Sequence, residues 1–180
     1  MTIQTTPLDG LLIIEPKVFA DDRGYFFESF RLSIFQEQGH DLRFVQDNES
    51  KSNANVIRGL HLQAPPFGQS KLLRVVRGAI YDVAVDIRKN SPTYGQYFGI
   101  ELNEENKINF FIPEGFAHGF SCLEDNTIVQ YKCTNYYHKA SEMGLKWDDP
   151  TLEIDWKVSN PIISEKDQIL PTLSDFVSPY

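Results

Sequence analysis

Lys71-Leu-Leu-Arg-Val-Val-Arg-Gly-Ala-Ile-Tyr-Asp-Val-Ala-Val-Asp-Ile87 is the stretch that decides the fold class. From Tyr81 onward its residues alternate. Tyr81, Val83, Val85 and Ile87 share one face, and Asp82, Ala84 and Asp86 share the other. Successive side chains of a strand point to opposite faces, so this period of two predicts a β-strand. Residues 71–76 form a preceding strand, joined to it through the Arg77-Gly78 turn. Outward from this pair the texture persists. Short apolar runs are punctuated by Asp22-Arg23-Gly24, Pro65-Pro66, Ser91-Pro92 and Asp125-Asn126, and aromatic residues make up 13% of the chain. Only Leu32 to Gln38 reads as a short helix. Many short strands at this spacing predict an all-β sandwich or barrel. A jelly roll is the leading architecture, with one domain over residues 1–180.

Two segments carry conditional expectations. The apolar run Leu11-Leu-Ile-Ile14 reads as an edge strand that needs cover. Around Asp125-Asn126 a hairpin is expected. With a turn of two or four residues, position 118 faces 133 and position 120 faces 131, which places His118, Phe120, Val129, Tyr131 and Cys133 on one side of the sheet. A three-residue loop would instead separate His118 from Tyr131.

Composition bounds the function. At 180 residues the chain is long enough to bury a core, and 41% hydrophobic with 23% charged residues is ordinary for a globular protein. Seventeen basic against 25 acidic residues give a net charge of −8, which argues against nucleic acid as a partner. No apolar run approaches the roughly 20 residues of a membrane span. The amino terminus lacks the basic-then-apolar pattern of a signal peptide. Cys122 and Cys133 do not make a disulfide framework. A cytoplasmic location is expected.

Four histidines are present. His61 lies in the mostly apolar Val56-Ile-Arg-Gly-Leu-His-Leu-Gln63, and His118 in Pro113-Glu-Gly-Phe-Ala-His-Gly-Phe120. His40, after Gly39, is expected at the surface. A metal site in a jelly roll needs further imidazole or carboxylate ligands. The positions after His61 hold Gln63 and Gln69 instead, and neutral amides are poor ligands for zinc or iron. Neither cysteine sits in an activating motif, and there is no Gly-x-Ser-x-Gly elbow or phosphate-cradling Gly-rich loop. General acid–base chemistry remains, from an imidazole, a phenol, an ammonium and a carboxylate: His61, Tyr131, Lys71 and the late Ser164-Glu-Lys-Asp167.

Taken together, Asp22-Arg-Gly-Tyr-Phe-Phe-Glu28, Val45-Gln-Asp-Asn48, Arg58-Gly-Leu-His61, Lys71-Leu-Leu, Val85-Asp-Ile-Arg-Lys-Asn-Ser-Pro-Thr93, Pro113-Glu-Gly-Phe-Ala-His-Gly-Phe120 and Ile163-Ser-Glu-Lys-Asp167 closely resemble the dTDP-4-dehydrorhamnose 3,5-epimerase family. The resemblance departs at Leu62, where many members carry an aromatic residue. It implies a cupin-like jelly roll, a homodimer, no cofactor and no metal. It also implies a dTDP-4-keto-6-deoxy sugar as substrate. By resemblance His61 is the base that removes the proton beside the C4 ketone, and Asp167 orients it. Tyr131 matches the acid that returns a proton from the opposite face, and Lys71 the cation near the C4 oxygen. Arg23, Glu28, Gln46, Asp47, Asn48, Arg58, His118, Glu142 and Lys166 match residues that hold the nucleotide and diphosphate, and Tyr137 the partner that stacks on thymine. Strict strand alternation would put Arg58 and His61 on opposite faces, which requires either a bulge at Gly59 or a diphosphate that approaches the strand end. A monofunctional 3-epimerase shares this apparatus, whereas a non-catalytic sugar-binding jelly roll or a metal-dependent cupin would not require it.

Overall fold

A computed structural model describes residues 1–37 and 39–180. Its strands are β1 (Thr2–Thr5), β2 (Leu12–Glu15), β3 (Phe19–Asp21), β4 (Gly24–Phe26), β5 (Gln46–Ser52), β6 (Ile57–Gln63), β7 (Lys71–Arg77), β8 (Ala79–Asp86), β9 (Tyr97–Asn103), β10 (Asn109–Ile112), β11 (Phe116–Cys122), β12 (Thr127–Cys133) and β13 (Glu142–Gly144). Among the described residues there are also two short α-helices, α1 (Leu32–Glu37) and α2 (Glu165–Gln168), and a 3-10 turn at Lys139–Ser141. The expected helix is therefore α1, and Gln38, at the end of the expected span, lies outside the described residues. A six-stranded sheet in the order β1-β2-β10-β7-β12-β5 faces a five-stranded sheet in the order β13-β6-β11-β8-β9, while β3 and β4 form a separate hairpin arm. Both sheets are antiparallel. This is the jelly roll that the strand pattern predicts, of the cupin-like form that the resemblance implies. Among the described residues no helix is long and apolar enough to cross a membrane.

Strand β8 is buried on both faces. Ile80 and Ala84 join Leu73, Val75, Phe110, Phe120 and Val129 in the core between the sheets. Val83, Val85 and Ile87 point the other way, where Leu145, Leu152, Trp156 and Phe176 of the C-terminal segment cover them. Full burial of a side chain of that size contributes roughly 1.5–3 kcal/mol. On the far side of the six-stranded sheet, α1 packs Phe35 against Leu12, Ile14, Leu72 and Phe111.

Arg77-Gly78 joins β7 to β8 as expected, and carries the chain from one sheet to the other. Three local expectations are corrected. Asp125-Asn126 also crosses between the sheets, so β11 and β12 do not form a hairpin. Gly78 has a φ of +78°, and a Cβ there would lie 2.4 Å from Thr127 Oγ1, so a glycine suits this corner. The run Leu11–Ile14 is not an edge: β2 pairs with β1 on one side and β10 on the other. His40 is half-buried, with its ring 5.3 Å from that of Phe111.

After β8 the chain turns around the fully buried Asp86, whose carboxylate accepts from Arg88 N and Nε, Arg88 Nη2, Ser91 Oγ and Thr93 Oγ1. Burial works to raise its pKa, but these donors outweigh it and hold the group down at about 2, against 3.8. A pKa depressed by folding stabilises the fold above the unfolded value, and that contribution is lost as pH falls through the folded one. A shift of this size corresponds to about 2 kcal/mol. Stability to urea should therefore drop by about that much between roughly pH 5 and pH 2, and Asp86→Asn should flatten this part of the profile. An unchanged profile in the variant would assign the acid loss to other groups.

Candidate active site

The inward faces of the two sheets carry the polar residues of the site. On β6, Ile57, Leu60 and Leu62 pack outward in the core beneath the C-terminal segment, whereas Arg58 and His61 both line a cavity between the sheets. Alternation alone forbids that arrangement. The pairing of β6 with β11 supplies the reason: His118 pairs with His61 and Phe120 with Arg58, so three steps on β6 match two on β11. The extra residue is a bulge at Gly59, whose φ is +124°. A Cβ on Gly59 would meet Gly119 Cα at 2.5 Å and the His118 carbonyl oxygen at 2.7 Å.

His61 Nε2 lies 2.7 Å from Asp167 Oδ1, with the imidazole 30% exposed and the carboxylate 5%. Asp167 is delivered by α2, where Ser164 caps the helix by accepting from Asp167 N at 3.2 Å. Its second oxygen faces the Gly59 amide at 3.4 Å. Burial works to raise the Asp167 pKa. The His61 hydrogen bond and charge, with help from Gly59 and Ser164, prevail and hold it below the usual carboxylate value. An ionised Asp167 accepts a hydrogen bond from Nε2–H of His61, which leaves Nδ1 as the nitrogen with the free lone pair.

Lys71, Tyr131, His118 and Phe120 share this cavity with His61. Lys71 Nζ is 3.5 Å from the His61 carbonyl oxygen. Burial pushes the ammonium pKa down, opposed by the nearby carboxylates of Asp82 and Glu142. Burial pushes the Tyr131 phenol up, only partly countered by the Arg58 guanidinium. The phenol therefore keeps its proton at neutral pH. Tyr131 stands on β12 in the six-stranded sheet and His61 on β6 in the other, so imidazole and phenol come from opposing walls. His118 and Tyr131 thus do come together, across the inter-sheet space instead of along one sheet.

A continuation of the same cleft is lined by Gln46, Asn48, Gln69, Tyr137 and Glu142, again with His61, Lys71 and Tyr131. Tyr137 Oη donates to Glu142 Oε2 at 2.9 Å, and Lys166 Nζ pairs with the other oxygen of Glu142. The amides of Gln63 and Gln69 are engaged with backbone groups: Gln63 Oε1 accepts from His138 N, and Gln69 Nε2 donates to the Asn135 carbonyl. Among the described residues no group of three or more His, Cys, Asp or Glu side chains is disposed to hold a metal ion.

Three expected residues stand elsewhere. Asp47 points out of β5 toward solvent and pairs with Lys132 at 3.0 Å. Arg23 sits on the β3–β4 arm, paired with Asp21, and Glu28 pairs with Arg31 just beyond it. Neither arm residue reaches the cavity of its own chain. Conversely, Asp82 was not among the candidates. It is fully buried in the inter-sheet space, with both oxygens 3.0 Å from His118 Nε2. Burial lowers the His118 pKa, against the pull of Asp82. The signal was available: a carboxylate on a strand buried on both sides requires a partner.

The sequence matches the profile of dTDP-4-dehydrorhamnose 3,5-epimerase over residues 5–175. The chain belongs to that family. A dTDP-4-dehydrorhamnose 3,5-epimerase of Methanothermobacter thermautotrophicus is 58% identical over 166 residues, covering 91% of this chain and 89% of the relative. The crystal structure of the Elizabethkingia anophelis enzyme superposes with a TM-score of 0.94 at 48% identity, covering 97% of each chain. That of the Legionella pneumophila 3,5-epimerase, in complex with dTDP-4-keto-L-rhamnose, superposes with a TM-score of 0.93 at 47% identity, covering 98% of this chain and 94% of that one.

The inward placement of both Arg58 and His61 in this chain thus depends on the bulge at Gly59, where β11 backbone leaves no room for a side chain. Gly59→Ala should lower stability by about 2 kcal/mol or more, because the added methyl meets backbone that cannot yield and the left-handed φ disfavours a side chain. A thermal melt at the wild-type midpoint would contradict the role given to the bulge.

Proposed function

We propose that this family member converts dTDP-4-dehydro-6-deoxy-D-glucose to dTDP-4-dehydro-L-rhamnose by epimerisation at C3 and C5, in dTDP-L-rhamnose biosynthesis. The observation that carries the proposal is the His61–Asp167 pair on one wall of a cavity whose opposing wall bears the protonated Tyr131. Both C3 and C5 flank the C4 ketone, so loss of a proton from either gives an enolate. His61 takes the proton, and Asp167 stabilises the imidazolium that forms. Lys71 supports the charge that develops on the C4 oxygen. Tyr131 returns a proton to the opposite face, which inverts the centre. These groups balance the reaction without a metal or redox cofactor.

The remaining candidates divide between cleft and arm. Tyr137 offers its ring to the thymine, while Gln46, Asn48, Arg58, His118, Glu142 and Lys166 hold the nucleotide and diphosphate. Arg58 suits the diphosphate because its planar fork engages two oxygens at once. Arg23 and Glu28 join this set in a homodimer whose β3–β4 arm lies against the partner's cleft, and the exposed Phe19, Tyr25 and Phe26 of the arm favour such cover. Light scattering should return the mass of two chains, and a monomer at micromolar concentration would oppose the arrangement. The enzyme is placed in the cytoplasm, where nucleotide sugars are made.

Single substitutions separate the roles. His61→Ala should slow exchange of both the C3 and C5 protons with solvent by about 10²–10⁴-fold, since one base serves both carbons. Tyr131→Phe should leave abstraction in place, so that sugar recovered from deuterated water gains label with largely retained configuration. Full-speed inversion by Tyr131→Phe would remove the acid assignment, and near wild-type exchange by His61→Ala would remove the base.

A further inference from the structure

The inward face of β5 carries an unbroken polar row: Gln46, Asn48, Ser50 and Ser52. Three of the four have protein partners. Gln46 accepts from Tyr137 N and donates to Asn48 Oδ1, each at 3.1 Å. Asn48 Nδ2 reaches Cys133 Sγ at 3.6 Å. Ser52 Oγ accepts from Arg58 Nε at 3.0 Å. Ser50 differs: its Oγ is buried and has no partner among the described residues. It lines the same cavity as Arg58, Tyr131 and Phe120. Across the sheet it pairs with Val129, which offers no side-chain hydrogen bond, and it lies one inward position from the Asn48–Tyr131 pair.

A buried hydroxyl without a partner is costly, and such groups in native proteins mark places where a ligand or solvent completes the bonding. Beside it, Arg58 is anchored to Ser52 through Nε, with the far end of its guanidinium making only a 3.5 Å contact to the Lys51 carbonyl. A free hydroxyl next to a held guanidinium is a donor pair suited to an anionic oxygen. We propose that Ser50 is a substrate-contact residue, donating its hydroxyl proton to a phosphoryl oxygen of the sugar diphosphate that Arg58 also engages. The inference rests on the substrate proposed above. It adds a neutral donor to the diphosphate subsite, on the wall opposite the strand that bears Arg58.

Ser50→Ala removes one oxygen atom and leaves the strand pairing intact. Calorimetric titration of dTDP should show affinity about tenfold weaker than wild type, as expected for a charge-assisted hydrogen bond. Thymidine, which lacks the phosphates, should bind both proteins alike. In turnover the variant should show a raised KM with kcat within about twofold, because the contact is held equally in ground and transition states. Equal dTDP affinity in the two proteins would overturn the proposal and leave Ser50 a site for solvent. Unchanged dTDP affinity with a lowered kcat would also overturn it, by placing the hydroxyl at the sugar. Wild-type protein that neither binds dTDP nor turns over the keto sugar would instead remove the substrate assignment itself.

Discussion

Val83, Val85 and Ile87 turn away from the space between the sheets and are buried under the C-terminal segment. The rest of the architecture depends on that second layer. Because the apolar face of β8 is satisfied from outside, its other face can carry Asp82 into the interior beside Ala84. The same holds for β6, which packs Leu60 and Leu62 outward and presents His61 inward. The covering segment then continues into α2 and delivers Asp167 to His61. One stretch of chain thus closes the outer core and completes the His61–Asp167 pair. Loss of packing at Trp156 or Leu152 would be felt at His61 as well as in stability.

Two histidine–carboxylate pairs stand in the cavity, and their surroundings divide their tasks. His61 is partly open to the cleft, while its carboxylate is nearly sealed. His118 and Asp82 are both buried, and desolvation disfavours the charged imidazole. An open imidazole with a sealed, ionised partner suits proton transfer. A sealed neutral imidazole suits a fixed wall and a hydrogen-bonding role toward a ligand. Lys71 and Tyr131 complete the contrast. The same burial that favours a neutral lysine keeps the phenol protonated, while carboxylates nearby sustain the ammonium.

Much of this was legible in the sequence. Alternation from Tyr81 to Ile87, the short helix after Arg31, and the histidines in their apolar strands all lead to the fold and to the core of the site. Sheet membership was not legible, because a turn signal such as Asp125-Asn126 marks a reversal without saying whether the chain returns beside itself or crosses to the facing sheet. His118 and Tyr131 meet all the same, since both strands present those residues to the shared interior. The bulge was readable only as a condition on Gly59, whose necessity lies in its contact with Gly119, sixty residues away. Asp47 shows the converse limit. It sits inside a motif with Gln46 and Asn48, yet strand alternation turns it outward to Lys132.

In the proposed reaction one base and one acid on opposing walls serve both carbons beside the ketone. Wild-type protein incubated with dTDP-4-keto-6-deoxyglucose in deuterated water, with the label located in the product by NMR, tests this. Deuterium is expected at both C3 and C5, with both centres inverted. Label and inversion at C3 alone, or a sugar recovered without any label, would rule the reaction out.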